Sequence, residues 1–114
     1  MRVLLIGFFA LALIHCGPAC ENEISEDLPS PDGNHRIVVF SRSCGVTTGL
    51  NTQATILGKG ERLSNKEGNA FIIDSGTAKV SWKSDGKLLV TLDPSVRIFK
   101  QQNSAGGVEI EYQR

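Results

Sequence analysis

Cys44 is the residue whose setting in the chain most resembles that of a nucleophile. Arg42 just before it would favour a thiolate, and Gly45 just after it would leave a backbone N–H open to a developing negative charge. A thiol hydrolase also needs an imidazole base within hydrogen-bond reach. His15 falls in an apolar leader, which leaves His35. Along one extended strand at ~3.3 Å per residue, His35 would lie roughly 25–30 Å from Cys44 and on the opposite pleat face. The spacing therefore supplies no base, and no enzyme is expected. Glu109 and Glu111 fall on one strand face about 6–7 Å apart. A glycosidase pair could use that separation, but two carboxylates from one strand more simply make a solvated face. Scattered carboxylates and one histidine beyond the leader give no zinc or calcium spacing, so neither metal nor cofactor is expected. The loop Cys44-Gly45-Val46-Thr47-Thr48-Gly49 lacks the lysine and following helix of a phosphate loop. Its two threonine hydroxyls can cap the turn or hold a ligand. If any segment is a binding loop, it is this one: Cys44, Gly45, Thr47, Thr48 and Gly49.

The other cysteines belong to the leader and its boundary. Arg2 and the apolar run from Val3 to Ile14 form the charged and apolar regions of a secretory signal. The run is shorter than the roughly 18 residues of a spanning helix. Leu13-Ile14-His15-Cys16 resembles a bacterial lipobox, in which the cysteine is lipidated and becomes the mature N-terminus. His15 departs from the small residue that pattern wants. Cleavage after Ala19, with Gly17 at the −3 position, would instead release a soluble chain beginning at Cys20. Either way Cys20 and Cys44 remain, and an oxidising compartment favours their pairing. A loop of about 25 residues closed in this way contributes on the order of 3 kcal/mol. The alternative is a free thiol at Cys44 with a thiol-dependent or redox role. Cys16-Gly-Pro-Ala-Cys20 has one residue too many for a thioredoxin-type motif.

Charge excludes some partners. The chain carries twelve basic and twelve acidic residues, with no basic patch for nucleic acid and no polybasic segment for anionic lipid. Membrane contact is expected only through an N-terminal lipid.

The elements that must position these residues are strands. Residues 20–31 are acidic, contain prolines and show no apolar period, so they read as a tether, with a short edge strand or turn around Ile24 and Leu28 as the alternative. Residues 32–114 read as one domain. His35 to Arg42 alternates Val38, Phe40 and Arg42 with Ile37, Val39 and Ser41, a central strand covered on both faces at its start. Thr52 to Leu57, Ala70 to Asp74, Lys79 to Lys83, Lys87 to Leu92, Val96 to Lys100 and Val108 to Tyr112 follow. Asp85-Gly86 predicts a hairpin with a type I′ turn. Six or seven short strands with frequent turns predict an all-β antiparallel meander or sandwich after a signal helix. Its core would draw on Ile37, Val39, Phe40, Ile56, Leu57, Phe71, Ile72, Val80, Trp82, Leu89, Val90, Ile98, Phe99, Val108 and Ile110.

Two resemblances bear on this pattern. Ser30-Pro31-Asp32-Gly33 and Ser84-Asp85-Gly86-Lys87 are similar to the hairpin turns of periplasmic β-propeller blades, but the chain is too short to close a propeller. Ser30-Pro31-Asp32-Gly33, Val38-Val39-Phe40, Arg42, Cys44-Gly45-Val46-Thr47-Thr48-Gly49 and Thr52-Gln53 resemble a family of small bacterial exported proteins, many with lipoprotein-type leaders. That family has a Cys-Gly-x-Thr-Thr core, with alanine usual where Val46 stands. Trp82, Lys87 to Val90 and Val96 to Lys100 also look similar. The resemblance implies an exported location and a plausible fold, and it brings no chemistry. Together these readings imply a non-enzymatic envelope binding or accessory lipoprotein, in the periplasm or lipid-anchored, with an unspecified envelope protein or ligand as partner.

Overall fold

The strand from His35 to Ser43 has buried residues in unbroken succession from Ile37 to Phe40, so both of its faces must be covered. In the computed structural model, which describes residues 20–45 and 49–114, they are covered by different things. Ile37 and Val39 enter the main core, which is shared between two sheets. Val38 and Phe40 join Leu57 on the outer face, where Leu63 from the loop 59–70 packs over them. The signal segment with Cys16, and Val46, Thr47 and Thr48 of the glycine-bracketed loop, lie outside the described residues.

All regular structure among the described residues is strand, as the turn spacing predicts. There are nine strands rather than six or seven: β1 (Glu21–Pro29), β2 (His35–Ser43), β3 (Leu50–Gly58), β4 (Phe71–Ile73), β5 (Ala78–Ser84), β6 (Lys87–Leu92), β7 (Ile98–Gln101), β8 (Ser104–Ala105) and β9 (Val108–Gln113). One sheet has the order β1-β2-β3-β4-β7 and the other β5-β6-β9-β8. The pairs are antiparallel except β6 with β9, which is parallel. The simple meander holds only through β4. The chain then makes the β5–β6 hairpin in the second sheet and returns to the first for β7. It comes back with β9 on the free side of β6. Ile37, Ala54, Ile56, Phe71 and Ile73 from the first sheet meet Val80, Leu88, Val90, Val108 and Ile110 from the second.

At β1 the structure follows the alternative reading, an edge strand, over a longer stretch than the surroundings of Ile24 and Leu28. The acidic segment expected to be a tether is a nine-residue strand paired with β2 from Glu21↔Ser43 to Pro29↔Arg36. An edge strand needs little apolar character of its own, because its backbone pairs with a neighbour and charge on it discourages aggregation. Here the neighbour is the apolar β2, and Leu28 packs against the core together with Trp82, whose Nε1–H donates to the Leu28 carbonyl at 3.0 Å. Ser30 makes the corner. It is buried, its Oγ accepts from the His35 N–H and donates to Asp32, and Gly33 takes a left-handed φ of 76°.

Three finer expectations also change. Phe99 is 57% exposed, because the register of β4 against β7 slips at Ile72/Ile73 and leaves it opposite no partner. Leu88 rather than Leu89 faces the core, since Leu88, Val90 and Leu92 share the buried phase of β6. Asp85-Gly86 does connect β5 and β6, but Gly86 is not left-handed, and an irregularity between Trp82 and Ser84 accommodates the turn. The pair with positive φ at both central positions, as a type I′ turn requires, is Gly106 (55°) and Gly107 (84°) between β8 and β9.

Candidate functional site

The inner face of the first sheet changes character along β1 to β3. At one end the cross-strand rows Leu28–Ile37–Ile56 and Glu26–Val39–Ala54 lead into the core. Beyond them come Glu23–Ser41–Thr52 and Glu21–Ser43–Leu50. These rows carry carboxylates and hydroxyls, with one leucine that is 56% exposed. A cleft of about 390 Å³ is lined by Glu21, Asn22, Glu23, Ser41, Ser43 and Leu50. No residue of the second sheet lines it. A second cleft of about 290 Å³ adjoins it through Ser41 and Leu50 and reaches inward to Val39, Thr52 and the segment Ser75–Ala78. Two internal bonds fix its walls: Ser25 Oγ donates to the Val39 carbonyl, and Thr52 Oγ1 donates to the Gly76 carbonyl.

A disulfide holds the outer end. Cys20, just before β1, is bonded to Cys44, just after β2, with the two Cα atoms 4.0 Å apart. Pairing of these two cysteines was expected on compartment grounds, and their sulfurs are joined in the structure. Gly45 and Gly49 both have positive φ, at 128° and 73°. They carry the chain away from β2 and back to Leu50 at the rim of the cleft. The Arg42 guanidinium is occupied elsewhere, donating to Asn22 Oδ1 at 2.8 Å and to Asn65 Oδ1 at 2.9 Å.

Other sequence candidates are not brought to this end. His35 begins β2, the far end of the strand from Cys44. Its Nδ1 is buried without a hydrogen-bond partner. Its Nε2 lies toward Gly107, where an added Cβ would come within 3.7 Å. Glu109 and Glu111 point out from β9, and Glu111 is ion-paired with Lys83 at 3.2 Å and Lys87 at 3.9 Å. That is the solvated face expected of them. Among the described residues no group of three or more His, Cys, Asp or Glu could hold a metal ion.

Sequence reasoning missed most of the cleft. Leu50, Ser41, Ser43, Thr52, Glu21 and Glu23 converge through cross-strand register, which no local motif encodes. The one available signal was Leu50, an apolar residue directly after the turn glycine Gly49.

A third cavity, about 200 Å³, lies under the loop 59–70 and is lined by Thr55, Leu57, Leu63, Lys66 and Asn69 among others. It is a seam of the fold. Asn69 serves there as a substitute strand, with its Oδ1 accepting from the Ile56 N–H and its Nδ2 donating to the Ile56 carbonyl. Gly68 N–H donates to Gln53 Oε1, and Lys100 Nζ donates to the Gly68 carbonyl.

Comparison with known proteins gave no match to a family model, to a curated protein or to a solved structure.

Proposed function

We propose that this chain is an exported, non-enzymatic binding protein of the cell envelope, and that it recognises its partner through the cleft beside the Cys20–Cys44 disulfide. The observation that carries the reading is the half-exposed Leu50, shared by two adjoining clefts. One is lined otherwise by the polar residues Glu21, Asn22, Glu23, Ser41 and Ser43, and the other mixes hydroxyls with Val39 and Ala78. Exposed apolar surface ringed by polar groups is characteristic of recognition surfaces. Ser41, Ser43 and Thr52 offer donors and acceptors to a ligand, and the paired strands beneath them hold the geometry. The leader from Arg2 to Cys16 supports export, with the mature chain either lipidated at Cys16 or beginning near Cys20. Membership of the exported family with the Cys-Gly-x-Thr-Thr core is part of the same proposal and rests on the sequence resemblance around Cys44 and Gly45.

Leu50→Arg is the direct test. The side chain is exposed, so the melting temperature should stay within a few degrees of the parent. Partner recovery by chemical cross-linking and affinity capture from intact cells should fall to background. Unchanged recovery would remove the cleft from the function. The alternative, thiol or redox chemistry at Cys44, is decided on the same material by counting free thiols on protein recovered under acid quench. A reduced, reactive Cys44 would favour it.

A further inference from the structure

β1 borders the first sheet, so among the described residues no strand lies beside the edge of this nine-residue strand that faces away from β2. Its charge is also arranged. In a regular strand Glu26 would share the outer face with Ile24. The register shift between Ile24 and Glu26 changes the phase. As a result Glu21, Glu23 and Glu26 pair with Ser43, Ser41 and Val39, which all lie on the cleft face. All three carboxylates are exposed, and none takes part in an ion pair among the described residues. The nearby cations are already engaged, Arg36 by Asp27 and Arg42 by Asn22 and Asn65.

Such a row narrows what could pair with β1. A second copy of β1 would set glutamates against glutamates, which is destabilising across strands. A divalent cation is poorly served, because the three carboxylates do not converge: no group of three or more His, Cys, Asp or Glu among the described residues could hold a metal ion. An extended peptide has the two-residue period of Ser43, Ser41 and Val39, the β2 residues opposite the row. Its backbone can bond to the open edge while alternate side chains lie over the cleft.

Resting on the reading of the cleft as the recognition surface, we propose that the partner presents an extended segment with Lys or Arg at alternate positions. This segment adds to β1 as a further strand, its cations facing Glu21, Glu23 and Glu26.

The test uses the oxidised protein and a labelled peptide about ten residues long, alternating lysine with threonine, read by fluorescence anisotropy. An isomer with its lysines consecutive controls for charge alone. Two further isomers carry N-methyl groups along one backbone edge or the other, since only one edge can bond to β1. The alternating peptide should bind. N-methylation of one edge should abolish binding, and N-methylation of the other should leave it intact. The Glu21→Gln/Glu23→Gln/Glu26→Gln variant should bind about tenfold more weakly at an unchanged melting temperature, the combined loss of three exposed charge pairs. Equal binding by the consecutive-lysine isomer, equal behaviour of the two N-methyl forms, or no binding at low salt would each overturn strand addition. If these fail while Leu50→Arg still abolishes partner recovery, the cleft reading survives and only the partner class falls. If both fail, both readings fall.

Discussion

Replacing Cys20 and Cys44 together by serine should release the cleft end of β1 while leaving the core folded. The disulfide closes a loop with a sequence separation of 24, so its removal should cost about 3.5 kcal/mol of unfolding free energy by loop-closure entropy. For a domain of this size that lowers the melting temperature by roughly 15–25 °C. The other restraints on β1 are weak. No side chain of β1 is fully buried. Its ion pair, Asp27 with Arg36, has side chains 42% and 25% exposed, and an exposed pair is worth at most about 1 kcal/mol. Urea unfolding can be followed by the fluorescence of Trp82, the one tryptophan in the chain, which is hydrogen-bonded to Leu28 of β1. Amide exchange then locates the loss. Protection should collapse for the β1 amides and persist for Leu88, Val90 and Leu92 of β6. A double variant within about 1 kcal/mol of the parent, with β1 still protected, would refute the reasoning and show that pairing with β2 suffices.

Gly68→Ala should destabilise by about 1–3 kcal/mol in chemical denaturation, because a Cβ there would collide with the Ala54 backbone carbonyl; a neutral result would mean that the loop 59–70 is not seated as described. Leu88→Ala should cost about 3 kcal/mol or more and Leu89→Ala about 1 kcal/mol or less, since Leu88 is fully buried and Leu89 only half so; the reverse order would contradict the phase of β6. Burial pushes the Tyr112 phenol up from 10.0 to about 12, so the protonated form is favoured in the folded state. The stability this contributes should be complete below about pH 10 and lost as pH rises through about 12. Phenolate absorbance reads Tyr112 alone, as the chain has one tyrosine, and a midpoint near 10 in the folded protein would rule the burial out.

Legibility in the sequence followed the physics of each element. β2 and β6 were readable because apolar residues there recur with the period of a strand. β1 was not, because its membership of the sheet comes from the backbone of β2 and from a covalent link to Cys44, and neither leaves an apolar pattern in Glu21–Pro29. The hairpin at Gly106-Gly107 falls in the gap between the expected strands Val96 to Lys100 and Val108 to Tyr112. The left-handed turn expected at Asp85-Gly86 is absent: Gly86 is not among the glycines with positive φ, and the register of β5 against β6 shifts between Trp82 and Ser84. Phe99 looked like core because the slip between β4 and β7 is a property of the pairing. Cys44 and Gly49 of the expected binding loop adjoin the lining residues Ser43 and Leu50 in the chain, but neither they nor Gly45 line the cleft, while Thr47 and Thr48 lie outside the described residues. The cleft itself depends on register. Ser41, Thr52 and Leu50 come together only once β1, β2 and β3 are aligned, and Glu26 joins Glu21 and Glu23 only through a one-residue bulge.

Site-specific photo-crosslinking in intact cells tests most directly whether recognition lies at this end of the molecule. A photoreactive residue is placed at Leu50 in one variant and at Ser81 in another; Ser81 is an exposed position on β5 of the second sheet. Recognition through the cleft requires a discrete cross-linked species from Leu50 and none from Ser81. A species formed equally from both positions, or from Ser81 alone, would contradict it.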